Sequence, residues 1–128
     1  MNAGNTFFAP LPPHNAAHLW IILSDPTADS NEVVIVPFMT IDDKKHTQDL
    51  TVQLGAGDHK FLKHPTFVNY SCAKSPALAE ILRVKTGDHD PINPELLLKM
   101  REGAQKSMQC KQKYVRILED QGLIEPEN

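Results

Sequence analysis

A single change of hydrophobic period, at Asn93-Pro94, divides this chain and limits what it can fold into. Before it, apolar residues come in short runs or alternate at period 2, as in buried and half-buried strands. After it, Leu96, Leu97, Met100, Ala104 and Met108 recur at three- and four-residue spacing, the stripe of an amphipathic helix. The combination predicts an α+β fold: a small, strongly bent antiparallel sheet or barrel followed by C-terminal helices.

The strand signals are His18 to Leu23, closed by Ser24-Asp25-Pro26, and Glu32 to Val36, ended by Pro37. Asp49 to Leu54 and Thr66 to Cys72 alternate apolar and polar residues. Ala77 to Val84 is undecided between helix and strand. At the second boundary, Asn93 is an N-cap, Pro94 sits at the first helical position and Glu95 places an acid in the first turn. Ser107 is a candidate cap for a second helix, with Tyr114, Val115 and Leu118 inward and Gly122 at its end. The first 17 residues carry Pro10, Pro12, Pro13 and no charged side chain, which predicts an extended arm rather than a central strand. At 128 residues, one domain is expected over 1–128: an arm over 1–17, a barrel over 18–88 and a helical part over 93–122.

Composition excludes several classes. The longest apolar run, Leu19 to Leu23, is five residues, far from the roughly 20 that span a bilayer. No Lys or Arg precedes Lys44 and no long apolar segment follows the N-terminus, so no secretory signal is expected and the protein is placed in the cytoplasm, away from membranes. A net charge of −3 excludes a protein that coats nucleic acid generally. Cys72 and Cys110 have no metal-ligand spacing and are expected as reduced thiols. Charge is nevertheless one-sided. Lys99, Arg101, Lys106, Lys111, Lys113 and Arg116 face one acid, Glu102, a local +5 that suits phosphates or an acidic partner, or is simply a solvated face.

The six histidines are the main chemical signal. Asp58-His59-Lys60 follows a Gly55-Ala56-Gly57 turn, and Lys63-His64 completes a loop with two imidazoles, two ammonium groups and a carboxylate. Imidazole exchanges protons near neutral pH and lysines attract anions, so the loop suits acid–base work on a phosphodiester. Alternatively, its histidines only cap backbone groups. Gly55-Ala56-Gly57 is a candidate anion nest, without the spacing of a P-loop. Thr40, at a strand exit, either donates to a phosphate oxygen or stabilises a turn with Asp42. His14 with His18, and His46 among Asp42, Asp43 and Asp49, have no recognisable metal spacing, so no metal and no cofactor is expected.

His18-Leu-Trp-Ile-Ile-Leu-Ser24 followed by Val33-Val-Ile-Val-Pro-Phe-Met-Thr40 resembles the second and third strands of the PemK/MazF-like toxins. The further pattern Gly-Asp-His-x-Phe-x-Lys-His, then Val-x-Tyr, resembles small uncharacterised bacterial proteins of that superfamily, and the likeness covers roughly residues 15 to 105. It implies an SH3-like barrel, often a homodimer, that cuts single-stranded RNA without metal and is neutralised by a short antitoxin protein. In those toxins an Arg at the start of the second strand and a Thr at the exit of the third serve the site. His18 takes the Arg position and Thr40 lies at or one residue beyond the Thr position. The toxins' opening strand and catalytic Arg are missing, so either the histidines carry the chemistry or the protein binds without cutting. The related CcdB-like proteins share the barrel and inhibit a topoisomerase.

The resulting expectation is an endoribonuclease in which His18 and His59, with His64 as substitute, move protons. Thr40, Lys60 and Lys63 hold the scissile phosphate. Its rivals are a non-catalytic module that binds an acidic partner, and an interaction domain of a larger defence or mobile-element complex.

Overall fold

The computed structural model describes residues 1–13 and 15–127; His14, paired with His18 in the metal reading, lies outside them. Strands β1 (Thr6–Ala9), β2 (His18–Ile22), β3 (Ile35–Thr40), β4 (Gln53–Leu54), β5 (Thr66–Val68) and β6 (Gly87–His89) form one antiparallel sheet. Their order is β4-β5-β3-β2-β1-β6. Helices α1 (Leu78–Val84), α2 (Pro94–Lys106) and α3 (Gln112–Asp120) complete an α+β fold. The sheet stays open, with β4 and β6 as its two edges, so of the expected bent sheet or barrel it is the open sheet that forms.

The N-terminal segment departs most from expectation. Instead of an arm it supplies β1, inside the sheet between β2 and β6, with Phe7 opposite Trp20 and Asp88. Every residue of Thr6–Ala9 keeps its N–H, because the prolines begin only at Pro10. β3 likewise runs through Pro37 instead of stopping there. The Pro37 carbonyl accepts from Asn69 N–H at 3.0 Å, but Pro37 has no N–H to return. At that point the ladder with β5 ends and the chain enters a 3-10 turn over Tyr70–Cys72, so the expected strand to Cys72 is cut short. The strand expected over Asp49 to Leu54 shrinks to β4. Its start is diverted because the Asp49 carboxylate accepts from the N–H and the hydroxyl of Thr51, at 3.1 and 2.6 Å, and from the Ser107 hydroxyl.

Both faces of the sheet are covered, which is why β2 and β3 are continuously apolar rather than alternating. Leu19, Ile21, Val36 and Phe38 face Met100, Ala104, Val115 and Leu118 of α2 and α3. Phe7, Trp20, Ile22 and Ile35 face Ile81 of α1, which resolves the undecided segment as a helix. Trp20 is fully buried and its indole N–H donates to the Ala9 carbonyl at 3.1 Å.

α2 starts as expected: the Asn93 side chain accepts from Leu96 N–H at 2.8 Å, with Pro94 in the first turn. Its packing is close. A Cβ on Gly103 would come nearer than 3.0 Å to Val52 and to the Tyr70 hydroxyl, which donates to the Met100 carbonyl at 2.6 Å. Met108, expected in the stripe, is fully exposed because α2 ends at Lys106. Ser107 closes α2 rather than capping α3, which begins without a side-chain cap. Gly122, with φ of +70°, follows α3 in the left-handed conformation that suits glycine. Among the described residues no helix is long and apolar enough to cross a membrane.

Candidate functional site

The exit of β3 is the focus of the surface. Thr40 pairs with Thr66 of β5, and Ile41 N–H donates to the Pro65 carbonyl at 2.9 Å, so this ladder brings the chain at His64 alongside the strand exit. The Thr66 hydroxyl donates to the His64 carbonyl at 2.8 Å and holds that corner. Three clefts meet at the exposed Thr40. One, of about 720 Å³, is also lined by His18, Asp42, Lys44, Lys45 and Phe61. A second, of about 290 Å³, has Phe61, Lys63 and His64 in its wall. The third, of about 220 Å³, runs past Lys45, Gln48 and Asn69.

Of the residues singled out from sequence, His18, Thr40, Lys63 and His64 therefore share one contiguous surface. His18 is half-buried at the start of β2, paired with Ala9. His59 and Lys60 line none of these three clefts. His59 is buried, and both of its ring nitrogens meet backbone: Nδ1 accepts from Phe61 N–H at 3.1 Å and Nε2 lies 2.6 Å from the Asp90 carbonyl. With Nδ1 accepting, Nε2–H is the donor to the Asp90 carbonyl. Lys60 reaches the other way, to the Asp90 carboxylate at 3.1 Å, and its ammonium holds that carboxyl below the usual range. Asp90 thus ties the 55–64 loop to the start of the sheet, since its carbonyl also accepts from the Thr6 hydroxyl at 3.0 Å.

The Gly55 turn is self-satisfied. Gly55 N–H donates to the Asp58 carboxylate at 2.7 Å and Gly57 takes φ of +103°. A carboxylate already on that donor leaves no nest for an anion.

Sequence reasoning passed over Lys44, Lys45 and Phe61 as site residues. The signal for the first two was the Asp42-Asp43-Lys44-Lys45 run just after Thr40; for Phe61 it was an aromatic ring among the histidines and lysines of the loop. The basic helical face lies elsewhere. Lys99, Lys106, Lys111, Lys113 and Arg116 are exposed, whereas Arg101 Nε donates to the Leu23 carbonyl at 2.7 Å and serves packing. Among the described residues no group of three or more His, Cys, Asp or Glu side chains is placed to hold a metal ion. Cys110 is half-buried, and burial together with the nearby Asp49 carboxylate pushes its thiol up to about 11.

The surface thus offers an imidazole on each side of a hydroxyl, with ammonium groups around it. Such a set is suited to polarising a phosphodiester and exchanging protons with its oxygens. No protein-family model matches the chain, and no curated protein matches it. Among solved structures it is similar to an endoribonuclease in complex with its cognate antitoxin from a mycobacterial species. The TM-score is 0.55 at 17% identity, over 87% of this chain and 95% of that one. At that identity the likeness is one of fold, and the α+β fold of this chain is that of the toxin endoribonuclease.

Proposed function

We propose that this fold serves the same end here: a toxin of a toxin–antitoxin pair, cutting single-stranded RNA without a metal ion and neutralised by a short antitoxin protein in the cytoplasm. The observation that carries the proposal is the meeting of clefts at Thr40, with His18 on one side and His64 on the other. The scissile phosphate sits at Thr40, whose hydroxyl donates to a non-bridging oxygen while the Lys63 ammonium offsets the charge that grows there. One of His18 and His64 takes the proton from the ribose 2′-hydroxyl, whose oxygen attacks phosphorus. The other gives a proton to the departing 5′-oxygen. The P–O5′ bond breaks, and the products are a 2′,3′-cyclic phosphate and a 5′-hydroxyl. His59 and Lys60 serve this site through the loop they anchor.

The test is cleavage of single-stranded RNA by purified protein in excess EDTA, with His18→Ala and His64→Ala. Each substitution is expected to lower kcat by about 10²- to 10⁴-fold and to flatten one limb of a bell-shaped pH profile. Folded protein that leaves RNA intact, or cutting indifferent to both substitutions, would overturn the assignment.

A further inference from the structure

Among the described residues, five large apolar side chains are exposed: Leu50, Phe61, Leu82, Leu98 and Met108. Of these, only Phe61 lines the clefts that meet at Thr40, and it lines two of them. The residue is 38% exposed yet its ring is held from behind. It meets Phe8 edge-to-face with centroids 5.5 Å apart, and His89 at 5.8 Å and 81°. Its backbone N–H is fixed by His59 Nδ1, and the next residue, Leu62, is buried in the core. The loop therefore spends a buried histidine and two ring contacts on holding a part-exposed aromatic ring beside Lys63 and the hydroxyl where the phosphate is placed.

We propose that Phe61 is a stacking platform for the nucleobase next to the scissile phosphate. This rests on the RNA reading of the Thr40 clefts and names how the substrate is held there. Unstacked bases of single-stranded RNA are recognised by stacking on aromatic rings flanked by positive charge. The neighbouring Lys63 supplies that charge, while Lys44 and Lys45 across the Thr40 cleft offset Asp42 and Asp43 of the same wall. A ring fixed before binding loses little freedom when a base lands on it. Every base has a π face, so Phe61 sets the register of the strand rather than its sequence.

The test uses RNA oligonucleotides made fully 2′-O-methyl, which removes the attacking hydroxyl, with 2-aminopurine moved along the strand one position at a time. Wild-type protein is expected to quench 2-aminopurine at one position. Phe61→Leu, which keeps apolar volume without a π face, should abolish the quench and weaken binding by about 5- to 100-fold. Phe61→Tyr should retain both, and thermal unfolding checks that each variant folds. Equal quench and affinity in folded wild type and Phe61→Leu would overturn the proposal, as would quenching at no position. The two readings fail separately. Cleavage of unmodified RNA that is unaffected in Phe61→Leu refutes the platform and leaves the ribonuclease. Phe61-dependent quenching by a protein that cuts no RNA refutes the ribonuclease and leaves the platform.

Discussion

His59→Ala separates a residue that moves protons from one that holds a loop. In the wild type the buried imidazole accepts from Phe61 N–H and donates to the Asp90 carbonyl. Truncation orphans the Phe61 amide, at a cost of about 1–3 kcal/mol for a desolvated donor. The Asp90 carbonyl keeps its bond from the Thr6 hydroxyl at 3.0 Å, so its loss is smaller, about 1 kcal/mol. The imidazole also packs on His89, with centroids 5.1 Å apart, and its removal leaves a void. Together these give a loss of about 3 kcal/mol. Urea titration should show the midpoint falling by roughly 1–3 M with the slope unchanged, given an m-value of about 1–3 kcal/mol/M. His59→Gln can still reach the Asp90 carbonyl through its amide and should recover part of that. Under folding conditions cleavage should weaken in both kcat and KM, because Phe61, Lys63 and His64 ride on the released loop, while the pH profile keeps its shape. Stability within about 0.5 kcal/mol of wild type, together with turnover slowed by about 100-fold or more at saturating RNA, would refute the reasoning and return His59 to the proton-transfer role.

Gly103→Ala drives a methyl into Val52 and the Tyr70 hydroxyl, so it should destabilise by about 1–3 kcal/mol even after the helix gains roughly 1 kcal/mol from alanine. A raised Tm in calorimetry would contradict that. Cys110 should resist iodoacetamide in the native protein. With its thiol near 11 rather than 9.0, the reactive thiolate at pH 8 is about 100-fold scarcer than in the unfolded chain. Folding favours the neutral thiol, so its contribution is constant below pH 9.0 and is lost as pH rises from there toward 11. Equal labelling rates in native buffer and in denaturant would refute it.

Local patterns were legible wherever the physics is local. The start of α2 is written in Asn93 and Pro94, because a cap bonds within its own first turn. The continuous apolar runs of β2 and β3 announced strands buried on both faces, and the α+β division followed from the change of period. Thr40 could be placed at a strand exit, and the 55–64 segment marked as a loop, for the same reason. What failed was non-local. β1 looked like an arm because its justification is pairing with Ile21 and with His89, some 80 residues on, and four residues free of proline suffice for that. Ser107 looked like the cap of the second helix, but its hydroxyl donates to Asp49 and accepts from Gln109 N–H in the turn between the helices, and α3 starts only at Gln112. The choice between open sheet and barrel, which the sequence left open, depends on whether two short edge strands meet, and no window of sequence contains that.

The candidate site divides the same way. Residue types and spacing alone nominated the histidines and lysines, because imidazole and ammonium chemistry travels with the side chain. Which nitrogens remain available is a different matter, since a hydrogen bond is settled by whatever backbone arrives within about 3 Å. For His59 that backbone belongs to Phe61 and to Asp90, 31 residues away, and only the folded chain brings them there.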